Sequence, residues 1–299
     1  MNTQATLPVS RIQKVMHSTL AKLILGFLMI FIPSAIGELF ILSLPLTSLW
    51  RSILAAGFAV PVALGAYYIL VHFIERREMT ELSLPGAAQE TTQGILVGAL
   101  LFCSIMAILS LTGAYKVLGT NRLIVLLPSL VFAVKATVVE EILFRGVLFR
   151  LVERSLGSWL ALAISSAIFG GLHMTNANAT LTGAIAIMLT GGFVLGAAFM
   201  LTRRLWLPMG IHFAVNFLQS GVFGSAVSGN QAGQALLRSS LTGPNWLIGG
   251  AFGVEASMVT AIIGLVVGSI LVWLAHRRGN VLRPYWSRSE NWKAKEVIP

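Results

Sequence analysis

The chain predicts an all-α fold, a polytopic bundle of transmembrane helices, and three observations predict it. Of 299 residues, 56% are hydrophobic and only 11% are charged, whereas a soluble domain carries about 25% charged residues. Mean hydropathy is +0.82. Apolar runs long enough to cross a hydrocarbon layer, about 20 residues each, recur along the chain and are separated by breakers. No internal repeat and no soluble insertion stands out, so residues 1–299 form a single membrane domain, with a basic tail over 277–299.

The first apolar run, 21–45, follows a basic segment carrying Arg11, Lys14 and Lys22. It exceeds the roughly 7–15-residue core of a cleavable signal, so it reads as a retained span, with cleavage near Ala35 as the alternative. Pro45 ends it and a second run covers 51–74. The loop 75–92 concentrates Glu75, Glu78, Glu81 and Glu90 and is expected to form a short surface helix. After Pro85-Gly86 a third run covers 93–115, and after Gly119 and Asn121 a fourth covers 123–151. Gly157 opens a fifth, 157–176; the Asn-rich stretch 176–178 precedes a sixth, 180–202. The joint "RRLWLP" leads into a seventh, 205–224. The segment 225–255, rich in Gly, Ser, Asn and Gln, reads as a lid or a disordered loop before the eighth run, 256–276.

Eight alternating spans with a cytoplasmic N-terminus place Arg11, Lys14, Lys22, Arg76, Arg77, Arg150, Arg154, Arg203, Arg204 and the tail from Arg277 to Lys295 inside. Only Arg51, Lys116, Arg122 and Arg238 fall outside. Lys and Arg are held on the cytoplasmic side, so both termini are expected there, in a multi-pass protein of the cell membrane. The net charge of +10 is thus a matter of topology, and no nucleic-acid partner is implied. Tyr285, Trp286 and Trp292 among the tail's cations suit the inner leaflet and its lipids. Cys103 is the single cysteine, which excludes an internal disulfide and a cysteine-based metal site.

Polar groups inside the runs ask for a reason, because ionised side chains at membrane depth cost several kcal/mol. The fourth span holds Lys135, Glu140, Glu141 and Arg145, the fifth His173, and the seventh His212 and Asn216. Glu38, His72, Glu255 and His276 lie near span ends and read as structural. Gluing helices together does not account for the first set, since polar contacts between membrane helices contribute about 0.6 kcal/mol on average. Residues four apart share a helix face, and Glu141/Arg145, Phe169/His173 and His212/Asn216 all have that spacing. Glu140 lies about 100° round the helix from Glu141, so it faces something else if Arg145 neutralises Glu141.

A carboxylate and an imidazole sharing one water can make it a nucleophile, and a second histidine with an asparagine amide can hold the oxyanion that forms. No Ser or Cys sits in an activated setting. The competing chemistry is a metal: Glu140, His173 and His212 match a His₂Glu zinc set, although no H-E-x-x-H is present. A proton-coupled transporter is a further alternative for buried Glu and His, but the paired broken spans of such carriers are missing.

"EEILFRG" (140–146), "FGGLH" (169–173) and "HFAVN" (212–216) resemble the E-E-x-x-x-R, F-x-x-x-H and H-x-x-x-N/D motifs of the CAAX-protease and bacteriocin-processing family of intramembrane proteases. "LWLPMGIH" (205–212) is similar to the usual lead-in to the last motif, and the resemblance covers about 135–220. It implies an eight-helix membrane fold and an endopeptidase whose cavity is reached from the membrane and the cytoplasm. It further implies that Glu140 with His173 activates the water, that His212 and Asn216 hold the oxyanion, and that Arg145 positions Glu141, with Phe169 as a further supporting residue. The substrate class implied is a membrane-associated peptide, lipidated or of leader or bacteriocin type, with no metal cofactor and zinc as the alternative. Silent immunity or scaffold proteins also belong to that family. Straight helices would put Glu140 and His212 roughly 20 and 10 Å from the inner ends of their spans, and His173 near an outer end. The helices therefore need tilts or kinks, for which Pro128, Gly170-Gly171 and Pro208 offer places.

Overall fold

A computed structural model describes residues 18–231 and 233–288. The segment carrying Arg11 and Lys14 and the end of the tail, with Trp292, lie outside the described residues. The fold is the helical membrane bundle that composition predicts. In chain order the helices are α1 Thr19–Ser43, α2 Ser48–Ile69, α3 Ala87–Leu111, α4 Leu126–Glu141, α5 Arg150–Leu172, α6 Leu181–Ile187, α7 Phe193–Thr202, α8 Trp206–Phe217 and α9 Met258–Arg277. Among the described residues, six helical stretches are long and apolar enough to cross a membrane. The longest, Leu123–Thr175, is two arms, because Gly157 adopts φ 80° and ψ 169°. The Phe144 and Phe169 ring centroids lie only 4.8 Å apart; on one straight helix, at about 1.5 Å per residue, they would be far apart, so the chain doubles back at Gly157. Ala35 lies in the middle of α1.

Large apolar side chains such as Phe31, Leu39, Leu100 and Leu111 point outward, as a lipid solvent requires. Between helices, where lipid removes the usual hydrophobic drive, close backbone approach takes over. The clearest case is α3 against α8: a Cβ built on Gly94 would meet the Gly210 Cα at 2.9 Å, and one on Gly210 would meet the Gly94 Cα at 2.9 Å. Four π-type turns widen the helices, at Leu70–Ile74, Ile142–Phe149, Met188–Gly192 and Leu218–Val222. Pro128 and Pro208 sit in the first turns of α4 and α8, where a missing N–H is harmless. The bends that shape the site therefore come from the wide turns and Gly157 rather than from the prolines.

The two ends of the bundle differ. At one end lie the cations of the 75–86, 203–205 and 277–288 segments. The 75–92 segment is no surface helix there: it holds only the single turn Thr80–Leu82 before α3 begins at Ala87. Two of its acids, Glu75 and Glu81, have side chains buried among arginines, whereas Glu78 is exposed. Arg150 grips Glu75 with two bonds, of 2.7 and 2.6 Å, while Arg77 reaches Glu75 at 2.7 Å and Glu81 at 2.9 Å. Burial pushes the Glu75 carboxyl up, but its hydrogen bonds and charge pairing with Arg150 and Arg77 outweigh this and hold it at about 2. The described part of the tail docks beneath the same end: the Leu282 N–H donates to Ser158 Oγ at 2.8 Å, and Arg288 Nη2 donates to the Glu153 carbonyl at 3.2 Å. Tyr285 and Trp286 stay exposed.

At the opposite end an antiparallel ribbon forms, which the apolar pattern did not announce. β1 (Tyr115–Thr120) pairs with β2 (Leu237–Leu241), with a register shift between Val117 and Gly119. The described part of 225–255 is folded, and side-chain amides tie it down. Asn121 Nδ2 donates to the Ala235 carbonyl at 2.8 Å, Asn176 Nδ2 to Ser228 at 2.9 Å, and Asn178 Nδ2 to Gly229 at 3.0 Å. Glu38 also gains a partner: Lys135 Nζ stands 2.9 Å from its Oε1 and links α4 to α1.

Candidate active site

The site begins with a buried ion pair. Glu141 ends α4 and Arg145 lies one turn on, in the wide turn; they are 0% and 1% exposed. Arg145 Nη1 donates to Glu141 Oε1 at 2.9 Å, and Nη2 donates to the carbonyls of Gly191 and Gly192 at 2.7 and 3.2 Å. Both acceptors belong to the wide turn between α6 and α7, and such widened turns recur at functional sites. Only glycine fits there: a Cβ on Gly191 would meet the Phe169 ring at 2.7 Å, and one on Gly192 would meet the Ser166 Cα at 2.6 Å. The Phe169 ring covers the other side of the guanidinium, 4.8 Å from Cζ to centroid, a cation–π contact in a dry setting.

His212, on α8, completes the relay. Its Nδ1 lies 2.7 Å from Glu141 Oε1. A carboxylate only accepts, so Nδ1 carries the proton and donates, which turns Nε2 toward Glu140, 3.9 Å from Oε2. The depths that straight helices would keep apart are thereby brought together. Glu141 is thus shared by Arg145 and His212. Glu140 keeps a side chain that is 30% exposed and faces a hollow. One turn beyond His212, Asn216 is buried and lines the same hollow. At the end of α5, His173 Nδ1 lies 2.7 Å from the Phe169 carbonyl; donation to that oxygen leaves its Nε2 as the basic nitrogen.

The hollow measures about 210 Å³. Glu140, Phe169, His173, His212 and Asn216 line it, from three helices; Glu141 and Arg145 stand behind it as supports. Leu101, Phe102 and Ile105 give it an apolar wall on α3. One lining residue escaped the sequence reading. Glu255, expected to be an interfacial group, is 6% exposed and lines the hollow. Its Oε2 accepts from the Ser228 N–H and Oγ at 2.8 and 3.0 Å, and burial pushes its carboxyl up despite the nearby His173. A lone acid in a polar loop carries no spacing signal, so only the fold reveals its address.

Among the described residues no three His, Cys, Asp or Glu side chains converge as a metal site. Glu141 and the Phe169 carbonyl each engage the Nδ1 of one imidazole, which leaves both Nε2 atoms toward the hollow.

Residues 120–218 match the family model for type II CAAX prenyl endopeptidase, Rce1-like. Over these residues the chain is similar to that family. The family that the three motifs resemble is therefore the one that matches, and it is a protease family. No curated protein and no solved structure matches the chain. The Rce1-like segment contains the whole Arg145–Glu141–His212 relay together with Glu140, His173 and Asn216, whereas Ser228 and Glu255 lie beyond it.

Proposed function

We propose that this protein is an intramembrane endopeptidase that hydrolyses a peptide bond with a water activated at Glu140. One observation carries the proposal: groups from separate helices meet at one hollow, with the His212 ring 3.9 Å from Glu140 and both lining the space with His173 and Asn216. The peptide carbonyl sits in the hollow with a water beside Glu140. Glu140, which no cation among the described residues neutralises at hydrogen-bond distance, takes the water's proton, and the His173 Nε2 orients that water. The water oxygen adds to the carbonyl carbon. The resulting oxyanion receives hydrogen bonds from the Asn216 amide and from the Nε2–H of His212, which as imidazolium donates through both ring nitrogens, Nδ1 to Glu141 and Nε2 into the hollow. Glu140 then returns its proton to the leaving amine as the carbon–nitrogen bond breaks. Arg145 acts through Glu141 and is a positioning residue.

The chemistry is complete without a metal. The substrate is a peptide segment held at the membrane, with an apolar side chain against the α3 wall. The proton-coupled carrier and the silent scaffold are the rival readings, and one variant separates them. Glu140→Gln keeps shape and removes the base, so membrane and secreted peptides that depend on this protein vanish while its abundance and partner binding persist. Unchanged peptide profiles would sink the proposal, and loss of cleavage on treatment with a chelator would return a metal to the scheme.

A further inference from the structure

The hollow is built asymmetrically. Behind its lining, as a floor, lie Glu141, Arg145 and the rest of the wide turn Ile142–Phe149, buried at every residue and none of them lining the hollow. Its roof consists of Asn176, Ser228, Asn230 and Glu255, all on segments that join helices at the end opposite the Glu75–Arg150 cluster. Asn230 on that roof is exposed, and His173 is followed by exposed Met174 and Thr175. On the other side Arg150, Leu151 and Val152 continue the buried floor, and the cleft beyond them, between Leu151, Lys22 and Trp286, shares no lining residue with the hollow.

Charge says which end is which. The joining segments beneath the floor carry Arg76, Arg77, Arg203, Arg204, Arg277 and Arg278, and those around the roof carry only Arg51, Lys116, Arg122 and Arg238. Basic residues in short connecting segments stay on the cytoplasmic side. We infer that the hollow opens away from the cytoplasm, so that its substrate is a peptide segment presented at the opposite face of the membrane. The peptide part of this statement rests on the protease reading; the direction rests on the roof, the floor and the charge bias alone. It reverses the cytoplasmic access that the family resemblance implies. A peptide delivered to that face must first be carried across or anchored through the membrane, so the reaction is placed after export of its substrate.

Thiol labelling tests the direction without any turnover, and so independently of whether the protein is a protease. In full-length chains expressed in cells with Cys103→Ser, Asn230→Cys marks the rim of the roof, Thr190→Cys marks the hollow itself, and Arg278→Cys marks the basic end. A small membrane-impermeant thiosulfonate is expected to modify Asn230→Cys and Thr190→Cys in intact cells as fully as after permeabilisation, and Arg278→Cys only after permeabilisation. The inference is overturned if Thr190→Cys reacts only in inverted vesicles or at neither face, or if Arg278→Cys is modified in intact cells. Should Thr190→Cys fail to accumulate, Asn230→Cys against Arg278→Cys still reads the orientation.

Discussion

Two buried clusters of Glu and Arg, built from the same side chains, do opposite jobs. At the basic end Glu75 is clasped by Arg150 through two bonds and by Arg77 through a third, and Glu81 is paired as well. Each carboxylate there meets a guanidinium, and neither Glu75 nor Glu81 lines the catalytic hollow. Mid-bundle, Arg145 and His212 both converge on Glu141, and Glu140 is left beside open space. Pairing with arginine makes a clamp. A carboxylate left over next to an imidazole and a hollow makes a reagent. Exposure to a cavity and an unspent hydrogen-bonding group separate the two, whereas burial and charge count do not.

The comparison breaks if the leftover carboxylate is dispensable. Glu140→Gln is expected to lower cleavage by about 10²–10⁴-fold, the contribution of a positioned general base, with an unchanged unfolding curve in detergent. Arg150→Met should do the reverse. Removing one partner of a buried pair costs about 3–5 kcal/mol, read as a lowered unfolding midpoint, while the protein that remains folded keeps its turnover. Gly191→Ala comes next: its Cβ would press on the Phe169 ring, an overpacking worth about 1–3 kcal/mol. Because that ring covers Arg145, turnover should fall along with stability. Acid sharpens the contrast further. Glu75 is held at about 2, below the ordinary carboxylate value of 4.5. Its contribution is therefore present above pH 4.5 and lost as pH falls toward 2, and unfolding followed over that window in the native chain but not in Glu75→Gln would show it. The smallest effect is expected at Glu255→Gln. The amide oxygen can still accept from Ser228, so the fold holds, and only the pH profile of cleavage shifts as the carboxyl facing His173 disappears.

Much of this was legible in the sequence because membranes simplify the code. Length and apolarity alone located the helices, and spacings of four placed Glu141 with Arg145, and Phe169 with His173, on common faces. The depth problem was not legible. Whether Glu140 and His212 meet depends on widened turns that no residue type announces, and the prolines that seemed to offer kinks lie harmlessly in first turns. The roof was hidden for another reason. Its order comes from amides such as Asn121, Asn176 and Asn178 bonding distant carbonyls, contacts that composition reads only as polar loop. Glu255 followed the roof into the hollow. The acids of 75–92 looked like a solvated face because their partner Arg150 lies 75 positions from Glu75.

The anchoring of Arg145 on Gly191 and Gly192 has a consequence for biogenesis. A ribosome delivers Glu140 and Glu141 first, then the two carbonyls, and His212 last. Until the seventh helical segment has entered the bilayer, the newborn chain can hold Glu141 through Arg145 but lacks the His212 ring that addresses Glu140, so on the proposed mechanism catalytic competence arrives late. If the protein is the protease proposed above, a maturing copy is thereby kept from cutting its neighbours in the membrane, and a nascent chain arrested before Trp206 should be inert even where the full-length protein is active.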